Sequence, residues 1–292
     1  MRPRPLAAAL PVALAAAALA LGTEVGGSSG GDLLGAVREG VLRSTALRGL
    51  LHFAVYLPPG YASEPGRRYP VVYFLHGLPA PVGAFRGFRF VPRALERLGL
   101  RAIVVAPQGA RDGDPDPEYL DWGEGRNWET AIASELPAWV DARYRTIRSR
   151  RGRVLVGLSA GGYGAFLLAL HHLAAFGAVE SWSGYFRPTD PSGETVLDLG
   201  SQERDARASA HRLVGDLRGE LRRDPTFLAF YVGTRDRRFL GENVELDREL
   251  TLAGVPHLFR LYPGGHDQTL WQAHAGDWLA LALHHLGRLA GS

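Results

Sequence analysis

The chain has 292 residues, 46% hydrophobic and 22% charged, which suits one α/β domain with a sizeable core and excludes a disordered or fibrous chain. It contains no cysteine, so a disulfide framework, a thiolate nucleophile and a cysteine-ligated metal are excluded. The formal charge is only +3 and the basic residues, all arginine, are dispersed, which argues against nucleic-acid binding.

Arg2 and Arg4 precede an uncharged Ala/Leu-rich run over residues 6–21, and Ala20-Leu21-Gly22 offers small residues to a signal peptidase. This layout predicts a secretory signal peptide over residues 1–22 and a secreted product. The rival is an uncleaved N-terminal membrane anchor, for which the run is short and is interrupted by Pro11. Any membrane association would pass through this segment. Residues 23–31 read as a flexible linker, and residues 32–292 as a single folded domain.

Apolar runs at 50–57, 71–75, 102–106, 154–156, 228–232 and 257–261 predict strands, most of them buried on both faces. Helical patterns lie at 92–98, at 129–144 with Ile132, Leu136 and Val140 on one stripe, at 161–173 and at 277–289. Such alternation predicts an α/β fold with a mostly parallel central sheet and helices on both faces. Residues 187–225 are polar with a helix-like centre, and read equally as a lid or as a surface excursion.

The strongest motif is Gly157-Leu158-Ser159-Ala160-Gly161, which follows the apolar run 154–156 and precedes a helical pattern. Strand, tight turn and helix form the setting of a nucleophile elbow, in which small neighbours let the chain double back and expose the serine at a helix N-terminus. A serine hydroxyl needs a base to take its proton. Of the ten histidines, His171, His172, His284 and His285 fall in helical patterns and His52 in an expected edge strand. His266 follows a strand and the turn Pro263-Gly264-Gly265, at the sheet edge where catalytic groups gather. Asp236, just past the strand 228–232, is the expected orienting carboxylate. Asp267 reads as a turn residue, and Glu242 is the alternative acid. The backbone amides of Leu78 and Ala160 are the expected oxyanion donors. His76 then reads as structural.

Asp112, Asp114, Asp116 and Glu118 have a spacing faintly like a calcium loop. Pro117 stands where that loop needs glycine and Gly123 where it needs glutamate, so a solvated acidic loop is expected. Tyr119, Trp122 and Trp128 are candidates for the rim of the site. No motif for a metal or cofactor appears, and none is expected.

The chain resembles the putative esterase, or esterase D-like, branch of the α/β-hydrolases, which includes S-formylglutathione hydrolases, feruloyl esterases and the antigen 85 mycolyltransferases. The resemblance is carried by Val55-Tyr56-Leu57-Pro58-Pro59-Gly60-Tyr61, Tyr69-Pro70-Val71-Val72-Tyr73-Phe74-Leu75-His76-Gly77, Glu135-Leu136-Pro137, the elbow through Ala165, Ser181-Trp182-Ser183-Gly184, and Pro263-Gly264-Gly265-His266-Asp267 with Trp271. It implies an α/β-hydrolase fold and a metal-independent carboxylesterase or acyltransferase. The family's serine, acid, histidine and oxyanion positions fall on Ser159, Asp236, His266, Leu78 and Ala160. The expected substrate is a small-molecule, glycan or lipid ester. Acyl transfer to a sugar or lipid alcohol, and a non-catalytic binding module, are the alternatives.

Overall fold

The structure is a computed structural model and describes residues 35–190 and 192–291. The expected signal peptide and linker lie outside the described residues, so the start of the domain at residue 32 is untested. Among the described residues, no helix is long and apolar enough to cross a membrane.

Among the described residues, eight strands form one sheet: β1 (Ala36–Ser44), β2 (Gly49–Leu57), β3 (Val71–Leu75), β4 (Ile103–Pro107), β5 (Arg153–Leu158), β6 (Ala178–Trp182), β7 (Phe227–Gly233) and β8 (Leu258–Tyr262). Their order is β1-β2-β4-β3-β5-β6-β7-β8. The pairs β1–β2 and β2–β4 are antiparallel and all others are parallel. This is the α/β-hydrolase architecture expected. Every residue of β3 and β4 is buried, which is why they read as unbroken apolar runs.

Two strands were not visible as apolar runs. In β1, Val37, Glu39, Val41 and Arg43 face away from the core, and the strand is the outer edge. This places His52 in an inner strand, because β1 pairs along the whole of β2. In β6 a carboxylate interrupts the run. Glu180 is fully buried, with Trp182 Nε1–H donating to it at 3.1 Å and the Tyr231 hydroxyl 3.4 Å away.

Helices α1 (Phe90–Arg97), α2 (Trp128–Thr130), α3 (Leu136–Arg143), α4 (Ala160–His171), α5 (Gln202–Arg207), α6 (Ala210–Arg223), α7 (Leu240–Leu252) and α8 (Gln268–Gly291) flank the sheet. Helices α1 and α8 bury Val91, Leu95, Trp278 and Ala282 against Val72, Val104 and Val154. On the other face Leu136, Phe166, Leu217 and Leu246 pack against Tyr73, Leu155 and Phe230. Between α2 and α3 a π-helical turn, Ala131–Glu135, widens the helix. Its Glu135 accepts the backbone N–H groups of Thr45 and Ala46, pinning the β1–β2 turn.

Candidate active site

Parallel strands β3 and β5 pair in register from Val71↔Arg153 to Leu75↔Gly157, so the loops after them leave the same sheet edge side by side. One loop carries His76-Gly77-Leu78; the other carries Ser159. Ser159 has φ 55° and ψ −126°, a left-handed backbone that a non-glycine residue adopts only under constraint. The constraint is local. The Ser159 N–H donates to the Trp182 carbonyl at 2.9 Å, and its own carbonyl accepts from Tyr163 at 3.0 Å. A Cβ at Gly157 would collide with the Gly161 carbonyl, and one at Gly161 with the Leu75 carbonyl. The elbow therefore needs glycine at both places.

Three side chains expected to work together are brought together. Ser159 Oγ lies 3.0 Å from His266 Nε2, and His266 Nδ1 lies 2.8 Å from Asp236 Oδ2. Asp236 is 1% exposed, and its Oδ1 accepts the N–H groups of Arg238 and Phe239, each at 3.1 Å. These bonds fix the carboxylate so that one oxygen is left for the imidazole. The His266 ring is walled by Phe239 and Trp271, both with centroids 5.2 Å away, at interplanar angles of 65° and 89°.

Glu242, the alternative acid, lies elsewhere. It sits in the first turn of α7 and pairs with Arg187 at 2.9 Å and with His211 Nε2 at 2.9 Å. Asp267 turns away from the imidazole and caps α8, its Oδ1 accepting the Leu270 N–H at 3.1 Å.

Ala160 is the first residue of α4, and a Cβ placed on Gly77 would stand 3.4 Å from Ser159 Cβ, so the loop that carries Leu78 runs along the serine. His76 braces this loop. Its Nδ1 lies 2.8 Å from the Gly77 carbonyl, while Nε2 accepts the Gly109 N–H at 3.1 Å. Burial holds the His76 imidazole below its ordinary value, so it is neutral. Tyr119 donates its hydroxyl to the His76 carbonyl at 2.6 Å from a fully buried position behind the loop, not at the rim. Trp128 is also buried, and only Trp122 keeps partial exposure, beneath the Arg126 guanidinium.

The acidic segment corrects the expectation of a solvated loop. Asp114 is buried and held by Arg126 at 2.6 Å and by Trp128 Nε1–H at 3.3 Å. Glu118 is 2% exposed, with the Tyr185 hydroxyl 2.6 Å from Oε2, and burial pushes its carboxyl up to about 8. Sequence spacing gave no sign of this, since the partners come from distant elements. The segment after β6 folds back through α5 and α6 and borders a cavity of about 560 Å³ lined by Arg187, Val196, Asp205 and Arg212. Its Gly193 packs on Phe239, which in turn touches His266.

Residues 44–276 match the family model described as Putative esterase. The chain belongs to this esterase family. Esterase Rv1288 of Mycobacterium tuberculosis is 30% identical over 237 residues, which cover 73% of this chain and 51% of that protein. Diacylglycerol acyltransferase/mycolyltransferase Ag85A of Mycobacterium bovis is 31% identical over 144 residues, 46% of this chain and 40% of the relative. The chain thus spans about half the length of the curated relatives it matches, or less. Among solved structures, a ferulic acid esterase superposes with a TM-score of 0.73 at 25% identity, covering 87% of this chain and 98% of its own. The fold described here is shared with that structure over 87% of this chain.

Proposed function

We propose that the chain is an exported serine esterase that hydrolyses carboxylic esters through an acyl-enzyme. The observation that carries this reading is the hydrogen-bonded series from Ser159 Oγ through His266 to the buried Asp236. Ser159 attacks the ester carbonyl while His266 Nε2 takes the hydroxyl proton. Asp236 holds the imidazole in the Nδ1–H tautomer and stabilises the imidazolium that forms. The amides of Leu78 and Ala160 receive the developing oxyanion. His266 then protonates the leaving alcohol, and water enters by the same route to release the acid. The segment 187–225, which reaches Phe239 beside His266, acts as a lid. The leader 1–22 directs export.

Acyl transfer is the second reading, favoured by the relative named a diacylglycerol acyltransferase/mycolyltransferase. The same residues serve both outcomes, and the acceptor alone differs. The test is hydrolysis of p-nitrophenyl acetate and butyrate by residues 32–292, beside Ser159→Ala, with intact mass after a fluorophosphonate probe. Turnover and one adduct on Ser159, both lost in the variant, are expected. Transacylated product on adding an alcohol would favour the transferase. A folded protein with no turnover and no adduct would overturn both and leave a binding module.

A further inference from the structure

We propose that Ser183 and Trp271 form a positioning pair that locks the His266 imidazole for proton transfer, a role that rests on the serine esterase reading above. Trp271 lies near the start of α8 and is 8% exposed. Its indole meets the His266 ring edge to face, at 5.2 Å and 89°. Its Nε1–H donates to Ser183 Oγ at 3.0 Å.

Ser183 is fully buried and follows directly on β6, where its N–H donates to the Tyr231 carbonyl at 2.7 Å. Its φ is 49°, in the left-handed region that glycine occupies freely and other residues rarely do. A glycine would meet the backbone requirement with less strain. What the serine adds is a hydroxyl, and that hydroxyl goes to Trp271.

The chemistry needs this support. The single bond from Nδ1 to Asp236 fixes the distance but lets the imidazole rock about the Nδ1···Oδ2 axis. Rocking swings Nε2 off Ser159 Oγ, and proton transfer falls steeply with such displacement. Phe239 and Trp271 are the two aromatic walls that oppose it. Phe239 is held at its ring by packing and by the Arg238 guanidinium 4.8 Å from its centroid, whereas Trp271 is tied by a directional hydrogen bond to the sheet edge that positions the elbow. Through Trp182, the neighbour of Ser183, that edge also accepts the Ser159 N–H.

The test compares wild type, Ser183→Gly, Trp271→Phe and the double variant in p-nitrophenyl butyrate kinetics, thermal melts and proton NMR of the downfield His266 Nδ1–H. Each single variant is expected to lower kcat by roughly ten- to a hundredfold with KM unchanged. The double variant should be no slower than the slower single one, because both break one contact. Ser183→Gly should stay folded, the relieved backbone strain offsetting part of the cost of leaving the Trp271 N–H without its acceptor, and its downfield proton should broaden. Full kcat in Ser183→Gly, or losses that multiply in the double variant, would overturn the pair. If the wild type neither turns over ester nor takes a fluorophosphonate, the esterase reading itself fails. The proton signal still reports on the pair in that case, and equal line widths in all four proteins would refute it.

Discussion

Asp236 and His266 meet through one carboxylate oxygen only: Oδ2 lies 2.8 Å from Nδ1, while Oδ1 is taken by the Arg238 and Phe239 amides. In Asp236→Asn the two amides keep the carbonyl oxygen, which turns the NH₂ toward Nδ1. The imidazole must then carry its proton on Nε2 and can no longer accept one from Ser159. We expect kcat to fall about ten-thousandfold with an unchanged melting curve. A residual rate within tenfold of wild type would remove Asp236 from the proposed mechanism.

The elbow gives a contrast between two glycines. A Cβ on Gly161 would strike the carbonyls of Leu75 and His76, which lead into the Leu78 loop. Gly161→Ala should therefore lose about 1–3 kcal/mol of stability by overpacking, and lose more activity than stability, because Ser159 is pushed from the loop. Gly241, in α7, has open space around it. Gly241→Ala should keep full activity and lose no stability, its place in the first turn of α7 leaving only part of the interior helix-propensity gain. Urea midpoints of the two variants decide both claims; a stable, active Gly161→Ala would contradict the packing argument.

Buried Glu180 makes stability depend on pH. Burial pushes its carboxyl up to about 8, against the bonds from Trp182 and Tyr231 that favour the ionised form. The folded state thus binds this proton more tightly than the unfolded chain. Its contribution is full below the ordinary value of 4.5, shrinks as pH rises toward 8, and is constant above. The slope from this one group is at most about 1.4 kcal/mol per pH unit in that window. Glu180→Gln should flatten the profile and leave the variant more stable than wild type at pH 9. Glu118, raised in the same way, keeps a residual slope in the same direction. Parallel profiles for the two proteins would show that Glu180 is not the group responsible.

The candidate site was legible because its parts are local. An elbow is five consecutive residues, and His266 and Asp236 each follow a strand by a short turn, so chain order and spacing carried the reading. The fold was legible where burial on both faces leaves apolar runs, as in β3 and β4. It was illegible where a buried carboxyl breaks the run, as Glu180 does in β6, or where one strand face is solvated, as in β1. The acidic stretch 112–118 was misread for a related reason. Composition reports that Asp114 and Glu118 are charged residues in a loop, but not that Arg126, Trp128 and Tyr185 arrive from elsewhere to bury them. Of the walls of His266, Trp271 stands five residues past it, whereas Phe239 comes from the segment after Asp236 and nothing in its spacing announces its contact with the imidazole.

The clamp between α6 and α7 supplies a last prediction. His211 Nδ1 lies 2.6 Å from Glu249 and Nε2 2.9 Å from Glu242, which also pairs with Arg187. Burial alone would lower the imidazole's affinity for its second proton, but the two carboxylates outweigh burial and raise it above the ordinary 6.5. The clamp is thus fully formed below pH 6.5 and weakens as pH rises through the raised value. Above that, His211 is neutral and can donate to only one of its two partners. Because α6 belongs to the segment that borders the site, its release should be local. After correction for the intrinsic, base-catalysed rate, protection against hydrogen exchange is expected to fall in residues 192–225 between pH 6 and pH 9, while the sheet keeps its protection. His211→Gln should show the low protection at both pH values. Protection in that segment that is independent of pH in the wild type would show that His211 does not hold α6 against α7.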